Sequence, residues 1–310
     1  MAPRRAGSST IRPYSSPISD MTHRIQKLHL GALDVFGFVE TEFALDGGSM
    51  FGVIPKMMWQ KLITPDEENR VPMETNLFVV KTGRENILLD TGLGDVLSDF
   101  DRKLYAPRGP SRLHESLLAI GAPPESITHV VFTHLHTDHS NGAMAGNPEQ
   151  PALRFPKAQY YVQADEWEDA MTPSERTDAV YLRPRLQLLA DSGRLHLLSG
   201  DTEILPGVHA KKTGGHTRGH QGVEIVSEGH RFAYYADIFP SRFHLKGPYV
   251  AAVDLFPLDT MKVKRALLTD LFNPQTVIGF DHDVQVMFGR LVQVKKWMDV
   301  EPAEVEGIPA

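Results

Sequence analysis

The chain has 310 residues, of which 41% are hydrophobic and 23% are charged, a composition typical of a soluble protein with one large domain or two small ones. Its 32 Lys and Arg residues against 39 Asp and Glu residues give a net charge of −7, which argues against a nucleic-acid-binding surface. The absence of cysteine excludes disulfides, thiolate nucleophiles and cysteine-ligated metal centres. No run of 18 apolar residues occurs, so no transmembrane helix is predicted.

The first 21 residues differ in composition from the rest of the chain. Residues 1–19 contain three arginines, five serines and three prolines but no acidic residue, and such a segment buries too little apolar surface to offset the entropy cost of ordering it. We expect a disordered leader over residues 1–21 and one domain over residues 22–310. An upstream start with Met21 as the true first residue fits the same composition, and a transit peptide is the alternative. Because no apolar signal-peptide core is present, we expect a cytoplasmic protein.

The rest of the chain mixes short strands and helices at irregular spacing. Apolar runs and turn residues predict strands at residues 25–39, 77–80, 87–89, 129–133, 160–162, 208–212, 223–226, 232–236 and, as the last, 277–280. Helices are predicted from about Ser111 to Gly121, within residues 164–192 and over residues 259–272. A glycine-rich turn is predicted at residues 46–48. The second and third strands are predicted to pair as a hairpin. This mixture predicts an α/β or α+β domain rather than a repeat protein.

The clearest chemical signal directly follows a predicted buried strand. The segment 133–139, THLHTDH, holds three histidines and one aspartate within six residues. Imidazole and carboxylate groups suit zinc and similar divalent ions. His134 and His136 alternate, so an extended segment directs both to the same side, whereas Asp138 and His139 lie past a turn and can serve a second ion. A polar surface loop is the alternative, and this density of ligands argues against it.

Three further candidate ligands occur later in the chain. His216 lies in the glycine-rich segment GGHTRGH, Asp237 follows a predicted strand, and His282 follows the last predicted strand. Each of them alone would more often be structural. Together with the first cluster, however, the pattern of a strand followed by a ligand occurs four times, which supplies enough ligands for two ions.

These motifs, in this order, resemble the signature of the metallo-β-lactamase superfamily over about residues 25–290. The resemblance implies an α/β fold of the αββα sandwich type, with two similar halves and a dinuclear metal site at the sandwich edge. It also implies two divalent ions as cofactors, with zinc as the first choice and manganese, iron or cobalt as alternatives.

The resemblance also assigns roles position by position. It implies the metal-ligand set His134, His136, Asp138, His139, His216, Asp237 and His282. One ion is assigned to His134, His136 and His216, the second to the remaining ligands, and Asp237 is assigned as the bridge between them. Asp90 matches an aspartate that orients a ligand histidine through its other ring nitrogen.

Within this superfamily, the chain resembles hydrolases more than redox or β-lactam-cleaving members. His136 stands where the redox branch carries a carboxylate, and the β-lactamase branches lack the bridging aspartate found here as Asp237. Residues 46–56, 213–216 and 236–240 resemble the corresponding segments of quorum-quenching N-acyl-homoserine lactonases. The alternative is an organophosphate triester hydrolase, or another small-ester metallohydrolase, on the same site.

The function implied is metal-dependent opening of the lactone ring of N-acyl-homoserine lactones by a metal-bridging hydroxide. Asp138 is the candidate for carrying a proton to the leaving oxygen. Pro240 occupies the position where some lactonases have a tyrosine that contacts the substrate carbonyl. His244 is therefore the second catalytic candidate, with an ordinary surface histidine as the alternative.

The expected partners are small molecules. A lactone or ester substrate is predicted, with no nucleic acid and no membrane, and assembly is left open between a monomer and a homodimer. The acyl chain of such a substrate requires an apolar wall. We expect that wall in residues 50–59, which are rich in methionine and aromatic residues, with ordinary core packing as the alternative.

Overall fold

A computed structural model describes residues 24–309 of the chain, so the leader predicted over residues 1–21 lies outside the described residues. Within the described range, the strands are β1 (Ile25–Leu30), β2 (Leu33–Asp46), β3 (Arg70–Lys81), β4 (Asn86–Leu89), β5 (His129–Val131), β6 (Met144–Asn147), β7 (Gln150–Leu153), β8 (Gln159–Gln163), β9 (Leu195–Leu198), β10 (Thr202–Leu205), β11 (Val208–Lys212), β12 (Gln221–Ser227), β13 (His230–Tyr234), β14 (Thr276–Gly279), β15 (Phe288–Val294), β16 (Trp297–Pro302) and β17 (Glu306–Ile308).

The α-helices are short and lie between the strands. In chain order they are α1 (Gly47–Phe51), α2 (Lys56–Trp59), α3 (Asp99–Tyr105), α4 (Leu113–Ala119), α5 (Thr137–Ser140), α6 (Ala164–Met171), α7 (Arg183–Asp191) and α8 (Pro257–Asp270). Among the residues that the structure describes, no helix has the length and apolar character needed to cross a membrane.

The strands form two large mixed sheets and one separate hairpin, β6–β7. The first sheet has the order β17-β1-β2-β3-β4-β5-β8-β9, and the second has the order β10-β11-β12-β13-β14-β15-β16. Strands β4, β5, β8 and β9 are mutually parallel neighbours in the first sheet, and β13 is parallel to β14 in the second. The other neighbouring strands run antiparallel.

The two sheets pack face to face and each is covered by helices on its outer side. Between the sheets, Phe78 of β3 contacts Phe232 of β13 and Phe288 of β15, with ring centroids 5.1 and 5.2 Å apart. Helices α4, α6 and α7 cover the first sheet, and α8 covers the second. Because the central strands β3, β4 and β14 are buried on both faces, they are apolar along most of their length. The four layers confirm the predicted αββα sandwich.

Three local predictions were wrong. The strand predicted over residues 25–39 is two antiparallel strands, since Gly31 adopts a φ of +60° that reverses the chain between β1 and β2. The turn predicted at residues 46–48 begins helix α1, because the Asp46 carboxylate caps the amides of Gly48 and Ser49. The strand at residues 277–280 is not the last. Strands β15 to β17 follow it, and their partly exposed positions weakened the apolar pattern.

Other local predictions are confirmed, and they determine where the ligands lie. Strands β3 and β4 form the predicted hairpin. The parallel pair β4–β5 of the first sheet and the parallel pair β13–β14 of the second end at the same edge of the sandwich. The loops after these strands carry Asp90, the segment 133–139, Asp237 and His282, and the loop between β11 and β12 adds His216.

Candidate metal centre

Buried imidazole and carboxylate groups form two adjoining clusters at this edge. Within each cluster the candidate ligand atoms lie within 4.8 Å of one another. The first cluster consists of His134, His136, His216 and Asp237. The second cluster consists of His139, Asp237, Asp281 and His282. Asp237 belongs to both clusters, so the geometry suits two ions that share one carboxylate.

The Asp237 carboxylate directs its two oxygens to different histidines. Oδ2 lies 3.0 Å from His216 Nε2 and 3.7 Å from both His134 Nε2 and His139 Nε2. Oδ1 lies 3.4 Å from His282 Nε2. This is the arrangement required of a bridging ligand.

Three of the ligand imidazoles are held by a hydrogen bond to a carboxylate or carbonyl oxygen on the side that faces away from the clusters. His139 Nδ1 donates to Asp90 Oδ2 at 3.0 Å, His216 Nδ1 to Asp254 Oδ1 at 2.9 Å, and His282 Nδ1 to the Glu74 carbonyl oxygen at 2.8 Å. With Nδ1 donating, the neutral form of each of these rings has its lone pair on Nε2, which faces the clusters, and this is the tautomer that binds metal.

Several of these inward atoms lack a hydrogen-bond partner within residues 24–309. They are Nε2 of His134 and His139, Oδ1 of Asp237 and Oδ2 of Asp281. A buried polar atom without a partner costs about 1–3 kcal/mol, and a divalent ion satisfies several of them at once. The donor set therefore fits ions that prefer imidazole and carboxylate ligands, as zinc does.

The histidines differ in their affinity for protons. Burial lowers the pKa of His134 and His136 well below the usual value. Burial also lowers the pKa of His139, but Asp138, Asp237 and Asp90 outweigh it and raise the pKa to about 9. For His282 the same competition, dominated by Asp281, raises the pKa to about 10. Because metals bind neutral imidazole, loading the site displaces these protons and becomes more favourable as pH rises.

Asp138 lies beside the second cluster, on the side that faces a cavity. Its Oδ2 is 3.7 Å from His282 Nε2 and 3.9 Å from His139 Nε2. Asp281, which we did not predict, places its Oδ2 3.5 Å from His282 Nε2. The only available signal for Asp281 was its position next to a predicted ligand. The structure thus brings all seven predicted ligands together and adds an eighth candidate ligand, the Asp281 carboxylate. Their binding of metal stays a prediction.

Asp90 supports the centre from the first sheet. It follows β4 with a φ of +54°, a left-handed conformation, and this turns its carboxylate toward the neighbouring strands. It accepts hydrogen bonds from Thr133 N at 2.7 Å, Thr133 Oγ1 at 2.8 Å and Tyr234 Oη at 2.8 Å, in addition to that from His139. The position of His139 is therefore tied to both sheets.

Two buried carboxylates that the sequence did not reveal hold the ligand loops together. Asp254 accepts a hydrogen bond from Thr260 Oγ1 at 2.6 Å besides that from His216. Gly215 has a φ of +89°, and a Cβ there would come within 2.8 Å of the same hydroxyl, so only glycine allows this approach. Glu166 accepts hydrogen bonds from Leu135 N at 3.0 Å and from Thr217 Oγ1. It therefore connects the loop that carries His134 and His136 to the loop that carries His216.

A cavity of about 430 Å³ opens above the two clusters. Its floor contains His136, Asp138, Asp237 and His282. Its walls are mainly apolar and include Leu45, Met50, Leu104, Tyr105, Val180, Val253 and Leu255. Such a site combines a charged, metal-ligating floor with room for an apolar group.

The segment 50–59 contributes less to this cavity than predicted. Met50 lines it. Trp59, however, is 2% exposed and stacks on Phe51 in a separate core cluster, with ring centroids 5.2 Å apart. Met57 and Met58 are 67% and 50% exposed and do not line the cavity. The sequence pattern did not distinguish cavity, core and surface within this segment.

The structure does not support the predicted contact of His244 with the substrate. His244 is buried, its Nε2 donates to the Met50 carbonyl oxygen at 2.9 Å, and its Nδ1 accepts from Ser241 Oγ at 2.8 Å. Its ring stacks on Phe51, and it is absent from the lining of the cavity. With both ring nitrogens occupied, His244 supports the cavity wall at Met50 instead of facing the substrate.

Comparisons with known proteins agree with this geometry. The chain is 28% identical over 178 residues to an N-acyl homoserine lactonase from a Bacillus species, an alignment that covers 54% of this chain and 63% of that relative. A probable metal-dependent hydrolase from Staphylococcus aureus superposes with a TM-score of 0.80 at 27% identity, over 84% of this chain and 93% of that one.

A dizinc quorum-quenching lactonase, AidC, superposes with a TM-score of 0.75 over 91% of this chain and 98% of its own, and at 19% identity this similarity shows the fold alone. The model of the metallo-beta-lactamase superfamily matches residues 70–282, more than half of the chain and the part that contains every predicted ligand. With this match, the four-layer sandwich and the histidine-aspartate clusters at its edge, the chain belongs to the metallo-β-lactamase superfamily.

Proposed function

We propose that the protein is an N-acyl-homoserine lactonase that uses two divalent metal ions, with zinc as the native metal. The observation that carries this proposal is the position of the two ligand clusters at the floor of an apolar cavity. A second support is the similarity to a curated N-acyl homoserine lactonase. That alignment covers 63% of the relative, so substrate and activity are our inference.

The metal would be held by the seven predicted ligands, with Asp237 between the two ions. When bound, two divalent ions lower the pKa of water and polarise a carbonyl oxygen. Lactone hydrolysis adds the water oxygen to the acyl carbon and breaks the bond from that carbon to the ring oxygen, which must gain a proton. Asp138 lies at the cavity floor beside His139 and His282. It is therefore placed to take the proton from water and return it to the ring oxygen.

The apolar walls suit the acyl chain of such a substrate. Leu45 and Met50 form part of the wall near α1, and Leu104 and Val253 continue it to the cavity mouth, where they are 39% and 46% exposed. Each methylene buried there contributes about 0.8 kcal/mol, less the cost of ordering the chain. We therefore expect medium or long acyl chains to be preferred over short ones.

A pH-stat comparison on zinc-loaded protein tests this proposal. The substrates are N-acyl-homoserine lactones of increasing chain length, simple esters and phosphotriesters, and we expect the highest kcat/KM for a medium- or long-chain lactone. His216→Gln should abolish turnover by removing a ligand. His209→Gln, a matched change on β11 outside the clusters, should leave turnover intact. Faster turnover of a phosphotriester than of every lactone would assign the protein to the triester hydrolases instead.

A further inference from the structure

A phenol hydroxyl faces the metal clusters from the cavity wall. Tyr105 is the last residue of α3, is 4% exposed and lines the cavity. Its ring packs edge-on against Phe43, with centroids 6.0 Å apart and planes at 62°. The buried ring therefore holds the hydroxyl in one place, 3.4 Å from Asp138 Oδ1.

The side-chain donors Ser49, Arg176 and Thr177 also line the cavity wall. Arg176 donates to the Ala252 carbonyl oxygen at 2.6 Å and Thr177 Oγ1 to the Ser174 carbonyl oxygen at 3.4 Å, whereas the floor beside Tyr105 presents carboxylate acceptors. Asp138 and Asp237 are carboxylates, and the neighbouring wall residue Pro240 has no backbone N–H. When an ester carbonyl is attacked, its oxygen gains negative charge, and a positioned donor stabilises that charge. A phenol is neutral at pH 7 and donates one O–H.

The Tyr105 hydroxyl has two polar neighbours, Asp138 and the Thr137 side chain, and Thr137 Oγ1 donates to the Val180 carbonyl oxygen at 3.0 Å. A distance of 3.4 Å to Asp138 exceeds the 2.7–2.8 Å typical of O–H···O hydrogen bonds, so the contact with Asp138 is loose. A small rotation about the C–O bond directs the hydrogen to an oxygen placed between Tyr105 and the two clusters. His244, the donor predicted from sequence, has both nitrogens occupied elsewhere.

We propose that Tyr105 is a catalytic residue whose hydroxyl donates a hydrogen bond to the substrate carbonyl oxygen as negative charge develops on it. The proposal rests on the proposed ester hydrolysis at this site. No covalent bond to Tyr105 forms or breaks. The water proton still travels to the leaving oxygen through Asp138, and Tyr105 keeps its own proton throughout.

Tyr105→Phe tests this directly, because it removes the hydroxyl and keeps the ring against Phe43. When the variant and the wild type have equal metal content and equal midpoints of thermal unfolding, we expect the kcat of the variant to be lower by about 100-fold. Loss of one hydrogen-bond donor to a developing oxyanion has an effect of about this size. KM should change by less than about threefold, since the interaction strengthens only in the transition state. Tyr160→Phe is the matched control. It deletes a buried hydroxyl that donates to the Phe155 carbonyl oxygen at 2.9 Å, away from the cavity, and should keep the wild-type kcat.

The outcomes separate the two proposals. If the wild type hydrolyses no lactone but turns over another carboxylic ester, the lactonase assignment fails. Tyr105→Phe is then measured on that ester, where the same fall in kcat supports the role of Tyr105. Turnover of phosphotriesters alone overturns both proposals, because these substrates have no carbonyl group. A Tyr105→Phe variant with kcat within about threefold of wild type on the best substrate overturns the role of Tyr105. Loss of bound metal in Tyr105→Phe also overturns it, since the hydroxyl would then act by supporting Asp138.

Discussion

Asp254 is expected to set the metal affinity of the first cluster without being a ligand itself. Its side chain is buried, and the carboxylate accepts hydrogen bonds from His216 Nδ1 at 2.9 Å and from Thr260 Oγ1 at 2.6 Å. A carboxylate in this position fixes the plane of the imidazole and makes the opposite nitrogen more basic. Asp254→Ala removes both effects and leaves the His216 N–H and the Thr260 hydroxyl without this partner.

The size of the effect follows from the role of such outer carboxylates. Their loss lowers metal affinity by about 10- to 100-fold, which corresponds to about 1.4–2.7 kcal/mol at 25 °C. Asp254→Asn keeps the shape and one acceptor oxygen but removes the charge, so we expect a smaller loss. The weakened ion should be the one that His134, His136 and His216 hold, because the second cluster has its own supports in Asp90 and Glu74.

Competition with a chromogenic chelator at fixed pH measures this affinity for each ion. The matched control is Asp259→Ala, five residues further along, whose side chain is 56% exposed and pairs with Lys262. We expect the control to bind both ions as the wild type does. A folded Asp254→Ala protein with wild-type affinity for both ions would refute the reasoning, because orientation of His216 would then not depend on this carboxylate.

Three further predictions concern the bridge, a buried lysine and the cavity wall. Asp237→Ala should bind one zinc ion instead of two by elemental analysis, and retention of two would contradict the bridging role. Burial lowers the pKa of Lys264 from 10.5 to about 7, so between these values the unfolded chain binds one more proton than the folded chain. The contribution of Lys264 to stability should therefore rise from pH 7 to 10.5 by up to about 1.4 kcal/mol per pH unit. Urea denaturation of the wild type and of Lys264→Met should show this difference in slope, and parallel pH profiles would contradict it. Met50→Ala should slow turnover of long-chain lactones more than short-chain ones, whereas Trp59→Ala should cost about 3–5 kcal/mol of stability and leave chain-length preference unchanged. Equal losses at all chain lengths for Met50→Ala would remove Met50 from the substrate wall.

Much of the site could be predicted from sequence because its ligands depend on local patterns. A ligand directly after an apolar run is visible in one dimension, and the segment 133–139 concentrates four of them. The αββα sandwich was predicted from the resemblance that these motifs carry, and the family match supports it. Leu77 to Leu89 form a hairpin as predicted, because two short apolar runs separated by a glycine turn favour such local pairing.

Tertiary structure alone decided the contacts between distant parts of the chain. Asp254 lies 38 residues from His216, and Tyr105 lies 33 residues from Asp138, so no local spacing relates either pair. His244 and Trp59 have residue types suited to a binding site, yet both are buried against Phe51. Whether such side chains face the cavity or the core depends on how the loops pack at the sandwich edge. That packing is a sum of many long-range contacts that no single segment of the sequence contains.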